Sequence, residues 1–415
     1  MEKAILKAIL LDQNKIKEEN LVKRDIFNEI EKDKKNPFII IISGVRRCGK
    51  STLLNQIRTN QCYYINFDDE RLINFKVSDF QTMYEILIEL FGEKEIFLFD
   101  EIQNIDGWER FVRRLHNNKK KIYVTGSNAS MLSRELGTHL TGRHIAYELY
   151  PFSFREFLRF KNHPLGSIEK LNSIEKSKLK KLFNEYLNEG GFPEYLQTKK
   201  REYLKTVYEN ILYRDIITRY HLSSQKPLKE TVYFVASNIG KELSFNAIKK
   251  ITGLTSATTI KEYFEYLRNS YLVFLVSKYD PSLKKQAYAS KKSYLIDVGM
   301  AKEVGFRTSE DEGRLIENVA FLHLKRNNKE VFFHKQKREC DFILRKGLKI
   351  KEAIQVTSHL DSKNEKREIE GLLEALNRHN LKEGLILTLD DEKEINIDNK
   401  KIMIKPLWKW LLEYN

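Results

Sequence analysis

Gly44-Val45-Arg46-Arg47-Cys48-Gly49-Lys50-Ser51 fills every fixed position of G-x-x-x-x-G-K-[ST], and its flanks decide how it is read. Ile39, Ile40, Ile41, Ile42 and Ser43 precede it, an apolar run that predicts a buried strand. Thr52-Leu53-Leu54-Asn55-Gln56-Ile57 follows and reads as the opening of a helix. Strand, tight loop and helix N-terminus together make an anion cradle. Backbone amides from Gly44 to Thr52 close around phosphate oxygens, and a side chain at Gly44 or Gly49 would crowd that wrap. Lys50 is the candidate for the β- and γ-phosphates, and the Ser51 hydroxyl for a magnesium ion. The positive end of the helix adds to the same site. ATP and Mg2+ are therefore the expected ligands.

Ile96-Phe97-Leu98-Phe99-Asp100-Glu101 supplies a second strand that ends in two acids. A buried parallel strand would deliver Asp100 to the carboxyl edge of a sheet, where open α/β sheets bind ligands. There Asp100 would hold the magnesium through water, and Glu101 would polarise an attacking water as a general base. Read alone, the pair would be two solvated acids; its place behind a phosphate loop argues for the site. Lys121-Ile122-Tyr123-Val124-Thr125-Gly126-Ser127-Asn128 is a third short strand. In P-loop ATPases with a strand inserted between the two motifs, a polar residue here senses the γ-phosphate. Ser127 is the first choice and Asn128 the second, with a plain helix N-cap as the competing role. Leu140-Thr141-Gly142-Arg143 offers Arg143 as an arginine finger, with Arg134 behind it.

These phrases resemble the prokaryotic, archaeal and bacterial AAA-type ATPases that pair an N-terminal P-loop domain with a C-terminal winged helix and nuclease-like region. The resemblance also rests on Pro151-Phe152-Ser153-Phe154-Arg155-Glu156-Phe157, Gly190-Gly191-Phe192-Pro193-Glu194 and Tyr213-Arg214-Asp215-Ile216. It implies an AAA-type fold and an ATPase activity. By the same likeness Gly191-Phe192-Pro193 would be a nucleotide-sensing Gly-x-Pro element, or else a simple turn.

Composition bounds the rest. A chain of 415 residues exceeds one ordinary core, so two or three domains are expected. No apolar run reaches the ~20 residues of a membrane span. Met1 to Glu31 lacks the parts of a secretory signal and reads as helical, with Ile5, Ile9, Ile16 and Leu21 as its apolar positions. Cys48, Cys62 and Cys340 are scattered, which suits a reducing cytoplasm and gives no metal-ligand spacing. The net charge of +15, from 73 basic and 58 acidic residues, favours phosphate-rich partners.

The expected fold class is α/β. Residues 1–36 form a helical lead and 37–150 a P-loop core with strands at 38–43, 62–67, 95–100, 121–125 and 144–149. Residues 151–225 form a helical connector, 226–300 a winged helix, and 310–415 a restriction-endonuclease-like domain of PD-(D/E)xK type. In the winged helix, 256–270 would be the recognition helix and Lys284-Lys285 to Lys291-Lys292 a basic wing on backbone phosphates; protein contacts are the alternative use. In the last domain Glu317 on a helix and Asp341 on a strand occupy the acidic positions. Gln355-Val356-Thr357 fills the E-x-K slot, where glutamine supplies no charge and threonine no cation. Glu352 falls on the other face of a regular strand. The expectation is therefore a nuclease-like fold that does not cleave, in an ATP-driven switch or motor. An active ATP-regulated nuclease, and an ATP-sensing DNA-binding regulator that does not hydrolyse, are the alternatives. Nucleic acid, a protein partner and a second copy of the chain all stay open as partners.

Overall fold

The computed structural model describes residues 1–15, 21–128, 142–254, 256–305 and 312–414. They form two compact units, Met1–Tyr150 with Asn269–Tyr271, and Pro151–Arg268 with Leu272–Asn415.

In the first unit α1 (Lys3–Gln13) and α2 (Phe27–Lys32) precede a sheet of five strands, β1 (Ile39–Gly44), β2 (Cys62–Asn66), β3 (Ile96–Asp100), β4 (Lys121–Gly126) and β5 (His144–Leu149). Each strand falls within one residue of its expected bounds. The order is β2-β3-β4-β1-β5 and every pairing is parallel. The apolar runs are explained by this arrangement, since crossover helices α3 (Lys50–Ile57), α4 (Asp79–Phe91) and α5 (Trp108–Asn117) cover the sheet. One core cluster joins Ile39, Ile41, Phe97 and Phe99 of the sheet to Phe80 of α4 and Phe111 of α5.

The N-terminal lead is neither separate nor one helix. Leu6, Ile9 and Leu10 of α1 belong to that same core, whereas Ile5 is 47% exposed. Of the expected apolar positions Ile9 thus faces inward and Ile5 does not, its place being taken by Leu6. Residues 21–24 are not helical, and Ile16 lies outside the described residues.

α1 also solves a problem of the sheet edge. β2 is a terminal strand, so its outer amides and carbonyls have no ladder partner. Gln13 and Asn14 supply one with their side-chain amides. Gln13 donates to Asn66 O at 3.1 Å and accepts from Asn66 N at 2.9 Å. Asn14 does the same at Tyr64, donating at 3.0 Å and accepting at 3.0 Å. Two primary amides act as a short strand and close the edge.

The second unit opens with helices Phe154–Phe160, Ser173–Glu189, Pro193–Thr198 and Arg201–Asn210, then a π-helical stretch Ile211–Thr218. Gly191-Phe192-Pro193 lies at one of these turns. The Gly191 amide donates to Asp297 Oδ2 at 2.6 Å, and its carbonyl accepts from Phe152 N at 2.7 Å. Next come helix Lys226–Ser237, β6 (Glu242–Leu243), helices Phe245–Thr252 and Ala257–Asn269, β7 (Val273–Ser277), helix Leu283–Tyr288 and β8 (Lys291–Leu295). The three strands form an antiparallel sheet in the order β6-β8-β7. Ser244 caps its helix by accepting from Ala247 N at 3.2 Å, as its place before the apolar period suggests.

The expected basic wing is not there as drawn. Lys284 and Lys285 are exposed but lie on a short helix, Lys291 is half-buried, and Lys292 is 1% exposed. The exposed face of Ala257–Asn269 carries Lys261 and Arg268 but also Glu262 and Glu265.

After helix Glu312–Arg326 the remaining strands form a six-stranded mixed sheet, β9 (Glu330–Lys335), β10 (Glu339–Lys346), β11 (Lys349–Val356), β12 (Glu383–Thr388), β13 (Lys393–Ile397) and β14 (Lys400–Pro406). Its order is β13-β14-β12-β11-β10-β9. Helix Glu365–Arg378 packs on it through Leu372, Ala375 and Leu376, and Trp408 and Trp410 are buried.

Removing the side-chain strand should be felt directly. Gln13→Ala with Asn14→Ala is expected to destabilise the chain by about 2 kcal/mol and to increase self-association. Thermal unfolding and light scattering check this; unchanged values for both would mean that the edge does not need α1.

Candidate functional site

The register of the sheet brings the expected residues to one edge. β1 and β4 align Ser43 with Gly126, and β3 and β4 align Phe99 with Val124. Gly44, Asp100 and Ser127 therefore leave the sheet side by side at its carboxyl end, with β4 inserted between the strands of the two motifs.

Gly44 is needed there for a reason other than phosphate. A Cβ on it would lie 2.1 Å from Leu149 O of β5, so the neighbouring strand excludes a side chain before any ligand does. Gly49 has φ +101 and forms the left-handed entry to α3, which fits the expectation of a wrapped loop. The Arg24 guanidinium lies over this loop, donating to Cys48 O at 2.8 Å and to Tyr150 O at 2.5 Å. No sequence pattern marked Arg24, because a single arginine in an irregular segment has no period.

Lys50 is 4% exposed. Its ammonium donates to Gly44 O at 3.2 Å and Val45 O at 3.3 Å and pairs with Glu101 Oε1 at 3.3 Å. Asp100 is fully buried and accepts hydrogen bonds from the hydroxyls of Ser51, Thr125 and Tyr64, the last at 2.9 Å. Thr125 Oγ1 also accepts from Glu101 N at 2.9 Å, which holds Glu101 at φ 51 in the left-handed region. Gln103 donates to Glu101 Oε2 at 2.5 Å. The adjacent carboxylates are driven apart. Burial, then the charge of Glu101, pushes Asp100 above its usual range. Burial pushes Glu101 up as well, but Lys50, Gln103 and Arg46 outweigh it and hold Glu101 below.

A carboxylate of this kind, beside the Ser51 hydroxyl, fits a small divalent cation: both are hard oxygen donors. Ser51 and Asp100 are the residues that would hold it. Ser127 and Asn128 are both buried at the end of β4. Thr125, Tyr64 and Gln103 were missed by sequence reading. Thr125 could have been found, since it precedes Ser127 by two and so lies on the same strand face.

Arg143 is not part of this cluster. Ile39 N donates to Arg143 O at 3.0 Å at the opening of β1, and Arg143 Nη1 donates to Asn117 Oδ1 at 3.1 Å. The parallel pairing runs from Ile39–His144 to Gly44–Leu149. Arg143 therefore lies about 17 Å of strand rise from the loop of its own chain, which corrects any use of it there. Arg134, Leu140 and Thr141 lie outside the described residues.

A second acidic cluster occupies the last module. Glu317 and Asp341 are together as expected, but the cation among them is Lys292 of β8. Its ammonium contacts Asp341 Oδ1 at 2.7 Å, Glu339 Oε1 at 2.8 Å and Glu317 Oε1 at 3.2 Å. Tyr294 donates to Glu317 Oε1 at 2.6 Å, and Val356 N to Asp341 Oδ2 at 2.9 Å. Gln355 accepts from Asp341 N at 3.1 Å and donates to Glu368 at 2.6 Å. Burial lowers Lys292, but Asp341 and Glu317 overcome it and keep the lysine well above its ordinary value. Burial and the Asp341 charge push Glu317 up to about 7.

Residues 36–158 match the AAA domain family, and residues 180–310 match a domain of unknown function, DUF8612. The first unit is thus an AAA-type P-loop ATPase domain. The chain belongs to the family of the uncharacterized protein MJ1544 of Methanocaldococcus jannaschii, with 35% identity over 440 residues, 100% of this chain and 96% of that one. An uncharacterized protein of Haemophilus influenzae is 32% identical over 333 residues, 76% of this chain and 81% of its own. Among solved structures, the Walker-type ATPase PABY2304 of Pyrococcus abyssi is similar at 16% identity and a TM-score of 0.45, over 70% of this chain and 97% of that chain. No helix among the described residues is long and apolar enough to cross a membrane.

Thr125→Val keeps shape and removes the hydroxyl shared by Asp100 and Glu101. It should lower stability by about 1–3 kcal/mol, because a buried acceptor and a buried donor lose their partner. Denaturant unfolding reads this; a change under about 0.5 kcal/mol would remove Thr125 from its place in the network.

Proposed function

We propose that this chain binds Mg-ATP on Gly44, Val45, Arg46, Arg47, Cys48, Gly49, Lys50, Ser51 and Thr52 and hydrolyses it, using the free energy to switch how its second unit presents itself. The observation that carries this reading is the convergence of Lys50, Ser51, Asp100 and Glu101 at one sheet edge. The contacts of Lys50 include two carbonyls, at 3.2 and 3.3 Å, and the Glu101 carboxylate at 3.3 Å. A triphosphate offers it stronger partners, and its departure from Glu101 frees that carboxylate. The left-handed backbone at Glu101 turns its side chain out of the strand direction, toward the phosphate loop. Glu101 then accepts the proton of the attacking water, and Gln103 keeps it oriented. Magnesium, held by Ser51 and Asp100, would neutralise charge on the β- and γ-phosphates. Ser127, buried at the end of β4 with Asn128 next to it, would donate to the γ-phosphate. Arg143, remote from its own loop, is assigned to the site of a neighbouring copy.

In the second unit the helix-strand-helix-helix-strand order, completed by β8 after the short helix Leu283–Tyr288, and the β6-β8-β7 sheet support a winged helix. The mixed charge on Ala257–Asn269 and the burial of Lys292 favour protein or intramolecular contacts over major-groove reading. Helix Glu312–Arg326 and the β9–β12 sheet support a restriction-endonuclease-like module with an inactive site, since Gln355 and Thr357 stand in the catalytic slot. The three buried free cysteines agree with a reducing, cytoplasmic setting.

Phosphate release tests the central assignment. Glu101→Gln should lower turnover by at least ~10²-fold while nucleotide binding stays near wild type. A mixture of Glu101→Gln and Arg143→Ala chains should recover part of the rate, because each supplies what the other lacks. An unchanged rate in Glu101→Gln would exclude it as the base, and an inactive mixture would exclude Arg143 acting between copies.

A further inference from the structure

We propose that Lys292 is a built-in counter-cation standing where the acids of a nuclease-like module would hold a divalent metal, so that the Glu317–Asp341 pocket takes a divalent cation only once that ammonium is removed. The inference rests on the nuclease-like reading of residues 310–415 given above.

Three carboxylates, from two elements, converge on the ammonium. Glu317 comes from a helix, and Glu339 and Asp341 from one face of β10, two residues apart. Oxygens from a helix and a strand end meeting at one point are what a hard cation requires. The distances of 2.7 to 3.2 Å are those of an ammonium, not of a metal, which would need 2.0–2.6 Å. With the lysine in place the residues do not fit a metal, and no group of three His, Cys, Asp or Glu among the described residues is arranged to hold one.

The lysine is foreign to the module it fills. It belongs to β8, which pairs with β6 on one side and β7 on the other, so its backbone is fixed by two ladders. Its register partner Glu242 pairs with Lys335, and Lys335 reaches Glu339 Oε2 at 3.2 Å. The same ammonium thus ties the three-stranded sheet to the six-stranded one. Gln355 cannot replace the missing acid, because both ends of its amide are engaged by Asp341 and Glu368. Thr357, in the lysine slot, donates to His359 O at 3.1 Å.

Burial separates a plug from a catalytic lysine. A lysine that activates water for phosphodiester cleavage must meet both water and a phosphate. Lys292 is 1% exposed, Asp341 5% and Glu317 7%, so neither can enter. Substituting one positive charge for two leaves excess negative charge. The Tyr294 hydroxyl, the Val356 amide and Lys335 partly offset it.

The experiment titrates manganese chloride, without nucleotide, into the full-length wild type, Lys292→Met, Asp341→Asn and Lys292→Met/Asp341→Asn. Binding is followed by calorimetry and by Tm. Methionine keeps the packing of the stem while removing the charge. The wild type should show no manganese site that depends on Asp341, and no magnesium-dependent nicking of plasmid. Lys292→Met should have a lower Tm that manganese raises by several degrees. It should also bind manganese at least about tenfold more tightly than the double variant. Manganese binding by wild type that Asp341→Asn removes would overturn the plug and leave the nuclease-like reading standing. So would wild-type nicking lost in Lys292→Met, which would make the lysine catalytic. No Asp341-dependent binding in either chain would overturn both. If Lys292→Met does not fold, the wild-type and Asp341→Asn titrations still decide between the first two outcomes.

Discussion

A carboxylate buried at the end of a strand costs several kcal/mol unless a cation and hydrogen-bond donors answer it. That constraint shapes both acid clusters of this chain. In the first unit Asp100 is answered by three hydroxyls and Glu101 by Lys50. In the second, Asp341, Glu339 and Glu317 share Lys292. The two solutions differ in what they leave open. Asp100 is met by hydroxyl donors, with no cation paired to it among the described residues, and the contacts of Lys50 include two carbonyls and Glu101 at 3.2 to 3.3 Å. Lys292 sits within 2.8 Å of two carboxylates and has nowhere else to go.

The contrast follows from the sheets. An all-parallel sheet with helices on its faces exposes one working edge, and order β2-β3-β4-β1-β5 puts three strand ends of different chemistry next to each other there. Each end contributes one kind of group: a cradle of amides, a pair of acids, a short polar run. The mixed sheet of the second unit instead has its acids covered by a neighbouring small sheet. The first arrangement is the one proposed to take a ligand, and the second is closed by Lys292.

The parallel core was legible because its signal is redundant. Apolar runs alternating with helical segments permit few other folds, and the phosphate loop and Asp100-Glu101 mark two of the strand ends. What stayed hidden were groups whose role is set by long-range contact. Thr125 and Tyr64 look like ordinary strand residues until β4 and β2 are registered on β3. Lys292 looked like one more charge of a basic loop, since nothing in Lys291-Lys292 distinguishes the buried lysine from its half-buried neighbour. Gln13 and Asn14 fall inside the stretch that reads as helical, and only the edge position of β2 gives them a function. Arg143 was chosen by residue type. Its position at the opening of β5, not its chemistry, separates it from the loop of its own chain.

The most direct test of the account is calorimetry with ATP on the wild-type chain, in magnesium and again in excess EDTA, with Lys50→Met as the comparison. The account predicts one site per chain whose affinity falls when magnesium is removed and falls further, by about 10²-fold or more, in Lys50→Met. A flat titration in magnesium, or equal binding by wild type and Lys50→Met, would contradict it.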